Sequence, residues 1–193
     1  ADSIIRDIRQ LLSAFRISVY DEKKETGFLR HVLVRRGFAS NQIMVVMVCT
    51  SPVFKSKNSF LQALLKKHPE ITTVILNINN QYTPVILGKE QKVLYGQGYI
   101  EDILCGLRFR ISAKSFFQVN PVQAEKLYRT AIRFAGLTGR ETLLDAYCGT
   151  GTIGLAAASS CAQVVGVEIN RDAVQDAIRN AEMNNIHNAW FTC

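Results

Sequence analysis

The chain has 193 residues, 48% of them hydrophobic and 20% charged, with 12 Gly and 4 Pro. That is enough for one full core or two small ones, and it excludes disordered and collagen-like chains. The net charge of +7 is uneven: residues 1–140 carry 21 Lys/Arg against 10 Asp/Glu, whereas residues 141–193 carry 2 against 6.

Ile4, Ile5, Ile8, Leu11, Leu12 and Phe15 recur at helical spacing and predict a helix over 3–15, with Ser3 available as its cap. Residues 21–27 are charged and turn-like. Strands are predicted at 28–35 and 42–49, joined around Gly37–Asn41 as a hairpin with a long loop. Within the second, the unbroken apolar run Ile43–Cys49 reads as a buried strand. A helix is predicted over 56–67, with Phe60, Ala63 and Leu64 inward and a basic end before Pro69. Residues 71–78 are β-branched and strand-like. Shorter strands are predicted at 84–87, 91–95 and 107–111, broken by Gly88, Gly96, Gly98 and Gly106. These elements make an α+β central domain.

The pattern then changes. Asn120 and Pro121 suit the cap and first position of a helix ending at Gly136, with Ala124, Leu127, Tyr128, Ala131, Phe134 and Ala135 along one face. Beyond it the order strand–loop–helix–strand–helix is that of a parallel α/β sheet. The predicted division is residues 1–115 for the α+β domain and 116–193 for the first part of a Rossmann-like α/β domain.

The α/β part holds the clearest chemical signal. Thr142–Asp145 end a strand, Ala146–Gly151 form a tight loop, and Thr152–Ala158 open a small-residue helix. The next strand, Gln163–Glu168, ends in a carboxylate. Gly149 to Gly154 satisfy G-x-G-x-x-G, weak alone but nucleoside-type in this setting of strand, glycine loop, helix and acid. Glu168 can accept two hydrogen bonds from vicinal ribose hydroxyls; the plain alternative is a helix-cap or surface acid. Asp145, beside the loop, would repel the pyrophosphate of NAD or FAD but suits the sulfonium and ammonium of S-adenosylmethionine.

Other classes find little support. The cysteines at 49, 105, 148, 161 and 193 form no C-x-x-C, and His31, His68 and His187 are scattered, so no metal site is predicted. Scattered cysteines in odd number fit a cytoplasmic protein better than a disulfide scaffold. No apolar run approaches the ~20 residues of a membrane helix, and no secretory signal opens the chain. Between Thr26 and Pro69 there is no carboxylate, while Arg30, Arg35, Arg36, Lys55, Lys57, Lys66 and Lys67 fall there. A second basic stretch, Arg108 to Arg140, is offset only by Glu125. Such asymmetry suggests a nucleic-acid partner; the alternative is an ordinary solvated face.

Ser115-Phe116-Phe117-Gln118-Val119-Asn120-Pro121, Leu144-Asp145-Ala146-Tyr147-Cys148-Gly149-Thr150-Gly151 and Gly166-Val167-Glu168, in that order, resemble the RNA (uracil-5-)-methyltransferase family. Asn180–Asn185 resembles the family's helix end. The resemblance implies a class I methyltransferase domain using S-adenosylmethionine, with cofactor contacts from Gln118, Tyr147, Gly149, Gly151, Thr152 and Glu168. Phe116 or Phe117 would wall the site near the target base. It further implies methylation at C5 of a uracil in RNA, 23S rRNA ahead of tRNA, by cysteine attack at C6 and removal of the C5 proton by a carboxylate. The family's D-P-P-R segment, nucleophilic cysteine and base glutamate lie beyond residue 193. On this reading no catalytic residue falls in the chain, which is a truncated piece of the enzyme, inactive alone. Cys148 sits in the cofactor loop, a position that is not the family's nucleophile, and Cys193 has no paired base. A methyltransferase acting on protein or small molecules would share the loop and Glu168 but not Phe117–Asn120; a non-enzymatic RNA-binding module would leave the loop idle.

Overall fold

The computed structural model describes residues 1–193, which divide into two compact units. The first comprises Ala1–Arg36 and Asn41–Ile100. Its opening helix, α1 (Asp2–Ala14), buries Ile4, Ile8, Leu11 and Leu12 as the spacing requires. Ser3 is not its cap: the helix starts one residue earlier, behind Ala1, with Asp2 in the first turn, where a carboxylate favours the helix dipole.

Four strands follow in the sheet order β1-β2-β3-β4: β1 (Leu29–Arg36), β2 (Ile43–Cys49), β3 (Ile71–Ile78) and β4 (Glu90–Tyr95). The first two pair antiparallel as the expected hairpin. The β2–β3 pair is parallel, as a crossover through the helix α2 (Lys57–Lys67) permits. Being central, β2 is buried along its whole length, which explains its unbroken apolar run. Helices α1 and α2 cover one face, bringing Ile4, Ile8 and Leu11 onto Val45, Met47, Phe60, Leu64 and Leu76. Phe60 is fully buried between the rings of Phe15 and Phe54, 6.1 and 5.3 Å away.

The strand expected at 84–87 does not form. Asn79 Nδ2 donates instead to the carbonyls of Val85 and Ile86, at 2.8 and 3.1 Å, and Asn77 brackets Gly88 through both of its amide atoms. Buried asparagines hold this segment as a loop, so its carbonyls are satisfied without a ladder.

The second unit comprises Gly37–Ser40 and Glu101–Cys193. The compact units therefore separate at Ile100/Glu101, earlier than the 115/116 division expected from the sequence. An unforeseen strand, β5 (Tyr99–Leu104), crosses that point and pairs with β6 (Leu107–Ser112). The turn between them is Cys105-Gly106, both with positive φ (53° and 80°), as a two-residue hairpin demands. Glu101 and Asp102 masked this strand, because acids are depleted in strands. Asp102 is nevertheless only 3% exposed: its carboxylate accepts the N–H groups of Phe38, Ala39 and Ser40 at 2.7, 2.8 and 3.2 Å.

Helix α3 (Pro121–Ala135) has the expected ends, with the Asn120 side chain accepting from Gln123 N at 3.1 Å and Gly136 left-handed at φ 60°. Its face is only partly buried: Ala124 and Tyr128 are inside, whereas Leu127 and Phe134 are 62% and 79% exposed. Then come β7 (Thr142–Ala146), α4 (Thr152–Ala157) with a single 3₁₀ turn after it, β8 (Gln163–Val167), α5 (Arg171–Met183) and β9 (Ala189–Thr192). The three strands are parallel in the order β7-β8-β9. This is the Rossmann-like arrangement expected of residues 116–193.

Residues 101–112 join this unit through a polar ladder. Asp176 and Asn180 on α5, with Asn184 at its C-cap, occupy one stripe and accept hydrogen bonds from the backbone N–H groups of Ser112, Arg110 and Arg108, at 3.3, 2.7 and 2.9 Å. The match is metrical: four residues of helix advance about 6.0 Å and two of strand about 6.6 Å. A helix face thus serves the strand as a neighbouring strand would, and the edge of β6 is satisfied.

Candidate functional site

At the carboxyl end of β7 the chain turns through Tyr147 at φ 61°, Gly149 at 55° and Gly151 at 78°. Gly149 faces open space, since a Cβ there would meet no atom within 4 Å. Gly151 is closed in: a Cβ would lie 3.0 Å from the Phe191 ring and 3.2 Å from Ala177 Cβ. One glycine therefore serves approach from outside and the other serves packing. Gly166 on β8 is tighter still, a Cβ falling 2.7 Å from Phe191 Cε1 and 3.0 Å from Cys148 Sγ.

Two carboxylates hold the loop. Glu168, just past β8, accepts from Gly149 N at 3.1 Å through Oε2 and from Asn170 N at 2.8 Å through Oε1. Each oxygen keeps a lone pair for a further donor. Asp145 Oδ2 accepts from Gly154 N in the first turn of α4, at 3.0 Å. Burial pushes the Asp145 carboxyl above its ordinary value of 3.8, partly countered by the Gly154 N–H. Two N–H groups that a phosphate cradle would aim at its ligand are thus already occupied by the protein's own acids.

Around the loop, Tyr147 is 90% exposed and Ile169, next to Glu168, equally so. Thr152 Oγ1 and the Tyr128 hydroxyl lie 2.9 Å apart, tying the start of α4 to α3. Asn180, fully buried, donates through Nδ2 to the Thr150 carbonyl at 3.0 Å while its Oδ1 takes Arg110 N–H. Upstream, Ser115 Oγ donates to Asp176 Oδ2 at 2.5 Å, and Phe117 packs on Phe109 with ring centres 6.1 Å apart. These contacts place the segment carrying half-buried Gln118, with Phe116 69% exposed beside it.

Of the residues singled out from sequence, Gly149 and Glu168 are brought together by a direct bond, and Gly151 and Thr152 complete the same turn into α4. Tyr147 stands on its outer side. Gln118 comes from a separate segment and is not part of that bonded cluster. Sequence reasoning missed the work of Asn180 and Asp176; the available signal was polar residues at i, i+4 and i+8 within the otherwise apolar inner face of α5.

Four of the five cysteines are disfavoured as thiolates. Cys148 is pushed up to about 12, first by burial and then by the charges of Asp145 and Glu168. Burial likewise takes Cys49 to about 12 and raises Cys105 and Cys161. No group of three or more His, Cys, Asp or Glu is placed to hold a metal ion, and no helix is long and apolar enough to cross a membrane.

Comparison with known proteins bears directly on this arrangement. The chain is 46% identical over 191 residues to an uncharacterized RNA methyltransferase of Streptococcus mutans, covering 98% of this chain and 42% of that protein. It is 42% identical over 191 residues to an uncharacterized RNA methyltransferase of Enterococcus faecalis, covering 99% and 42%. The chain thus spans less than half the length of these relatives. Among solved structures it resembles the Pyrococcus abyssi tRNA (uracil-54, C5)-methyltransferase in complex with S-adenosyl-L-homocysteine, at 28% identity and a TM-score of 0.80, over 97% of this chain and 45% of that one. A family model described as tRNA (Uracil-5-)-methyltransferase matches residues 15–192, and the chain belongs to that family.

Proposed function

We propose that the chain is the cofactor-binding part of an enzyme that transfers a methyl group from S-adenosylmethionine to C5 of a uracil in RNA. The observation that carries the cofactor is the acid-held loop. With Gly149 N–H on Glu168 and Gly154 N–H on Asp145, the loop disfavours a pyrophosphate and favours a cationic ligand. Glu168 would take the ribose hydroxyls with its remaining lone pairs, Gly149 and Gly151 would let the ligand approach the backbone, and Tyr147 and Gln118 would flank it. Thr152, held by Tyr128, would fix the loop's exit. The cofactor supplies an electrophilic methyl group on its sulfonium; the residues here bind and orient it.

The family resemblance implies a cysteine thiolate adding to uracil C6, so that C5 becomes nucleophilic and later loses its proton to a carboxylate. As the resemblance implies, we assign the nucleophile and base to family segments beyond residue 193, which leaves this chain inactive by itself; Cys148, in the cofactor loop, is raised to about 12 by burial and by the charges of Asp145 and Glu168. The RNA substrate follows from the relatives' description and the basic bias of residues 1–140. 23S rRNA is the substrate favoured from sequence, and the tRNA enzyme among the similar structures makes tRNA the necessary comparison.

Calorimetric titration tests the cofactor. S-adenosylhomocysteine should bind and NAD should not, and Glu168→Ala should weaken binding by about tenfold or more, the loss of charge-assisted hydrogen bonds. Binding of NAD, or indifference to Glu168→Ala, would overturn the assignment. For the substrate, transfer of labelled methyl by the full-length protein to 23S rRNA or to tRNA transcripts decides between them.

A further inference from the structure

The first unit carries a concavity of about 410 Å³ that the methyl-transfer reading leaves unused, lined by Glu22, Arg30, His31, Tyr82, Thr83, Pro84 and Ile86. Its construction is specific. Arg30, on β1, is sunk to 3% side-chain exposure. Its Nη1 donates to the carbonyls of Asn79 and Gln81, at 3.3 and 2.7 Å, its Nη2 lies 3.4 Å from Glu22 Oε1, and its guanidinium sits 4.7 Å above the Tyr20 ring. Arg30 Nε is buried without a hydrogen-bond partner. The residue is therefore a clamp: it fixes the loop at 79–81 and the turn bearing Glu22, the two rims of the concavity.

The rims differ in chemistry. On one, Tyr82 is 81% exposed, with Pro84 beside it and Ile86 45% exposed, an apolar wall with an unpacked aromatic face. On the other stand His31 and the carboxylate of Glu22, whose side chain is 56% exposed and whose second oxygen is not engaged by Arg30. An aromatic face opposite polar groups is how proteins hold an unstacked base, stacking its ring and reading its edge. Glu22 sets the preference, since an ionised carboxylate only accepts. Among the four bases, guanine offers it two adjacent N–H donors, N1 and N2, on one edge. The surroundings suit RNA as well: from Thr26 to Pro69 the sequence has no carboxylate.

We propose that this concavity binds a single unstacked nucleobase of RNA, guanine in preference to uracil, stacked on Tyr82 and read by Glu22. It rests on the RNA reading above for the class of ligand, and is independent of the glycine loop.

Fluorescence anisotropy with two labelled heptamers, UUUGUUU and UUUUUUU, tests it at fixed salt, because equal length and charge cancel the phosphate contribution. The guanine-containing strand should bind about tenfold more tightly, in keeping with one stacked and hydrogen-bonded base. Tyr82→Ala should abolish that difference and Tyr82→Phe should keep it; at 81% exposure neither threatens the fold. Glu22→Gln should lower the ratio of guanine-strand to uracil-strand affinity, the change of charge itself acting on both strands alike. Equal binding of both strands, unmoved by Tyr82→Ala, overturns this site and leaves RNA binding by charge intact. Failure of both strands to bind overturns the site and the RNA reading together, while the S-adenosylhomocysteine titration still judges the cofactor.

Discussion

Asn180 is the most informative residue to replace. Its side chain is fully buried and makes two bonds of different kinds, accepting Arg110 N–H at 2.7 Å and donating to the Thr150 carbonyl at 3.0 Å. Asn180→Leu keeps the approximate volume and removes both. Thr150 is 1% exposed, so its carbonyl loses its partner where water has little access, at about 1–3 kcal/mol. Arg110 is half-buried, and water can replace part of what its N–H loses, so about 0.5–1.5 kcal/mol applies there. The sum is about 1.5–4.5 kcal/mol, a large share of the ~5–15 kcal/mol that holds a domain folded. Asn184→Ala is the comparison. That residue also meets Arg108 through both amide atoms, at 2.9 and 2.6 Å, but in a solvent-exposed setting, so about 1 kcal/mol or less is expected. Urea unfolding followed by the fluorescence of Trp190, the single tryptophan, reports on β9 and hence on this unit. With a slope of about 2 kcal/mol per molar, Asn180→Leu should lower the midpoint by about 1–2 M at unchanged slope, and Asn184→Ala by less than about 0.5 M. Equal shifts for the two variants would refute the reasoning that burial of the Thr150 bond makes Asn180 special.

Gly166→Ala should destabilise by about 1–3 kcal/mol, because its Cβ would enter the space of the Phe191 ring and Cys148 Sγ; a thermal midpoint within 1–2 °C of the parent would contradict that crowding. Acid stability has a defined sign in the first unit. Asp7 is held below its usual 3.8 by Lys67 and His68, and Glu70 below its usual 4.5 by its own backbone N–H and His68. Their contribution is complete above the ordinary carboxylate range and is lost as pH falls through the lowered values. Urea midpoints measured from pH 6 down to pH 2 should therefore fall less steeply for the double variant Asp7→Asn, Glu70→Gln than for the parent; parallel curves would remove these carboxylates from the account. Finally, native alkylation with iodoacetamide at pH 8 should label exposed Cys193 and spare Cys148, whose thiolate fraction with a pKa of about 12 is on the order of one in ten thousand; peptide mass mapping that finds Cys148 labelled as fast would show an activated thiol in the loop.

Periodicity and local chemistry made much of the fold legible. The run Ile43–Cys49 announced a central strand because only a strand buried on both faces can be apolar throughout. Asn120, Pro121 and Gly136 announced both ends of α3 because capping is a local property of the backbone. What failed was what long-range partners decide. Residues 84–87 have strand composition, but Asn79 takes their carbonyls, and an amide several residues away leaves no mark on local pattern. Tyr99–Leu104 contains two acids that argue against a strand, and only the loop at 38–40 explains why Asp102 belongs there. Leu127 and Phe134 keep the helical period yet face outward, since a pattern specifies a face and not what covers it.

The candidate site divides in the same way, and the division says why it needed a structure. Glycine loop, following helix and acid are all within 20 residues of one another, so spacing alone pointed to Glu168, at the end of β8, as a neighbour of the loop carrying Gly149 and Gly151. The α5 stripe of Asp176, Asn180 and Asn184 acts at sequence distances of 64, 70 and 76 residues, on a strand edge that sequence had only half identified. Asn180 belongs to both systems, taking Arg110 N–H from β6 with one atom and giving the other to Thr150 in the loop. The loop's position is therefore set partly by the hairpin β5–β6, which sequence had assigned to the other domain. A buried polar group is retained where both of its bonds are satisfied at once, and here satisfying them requires hairpin, helix and glycine loop to be in register. That requirement accounts for residues 101–115 packing with the α/β unit.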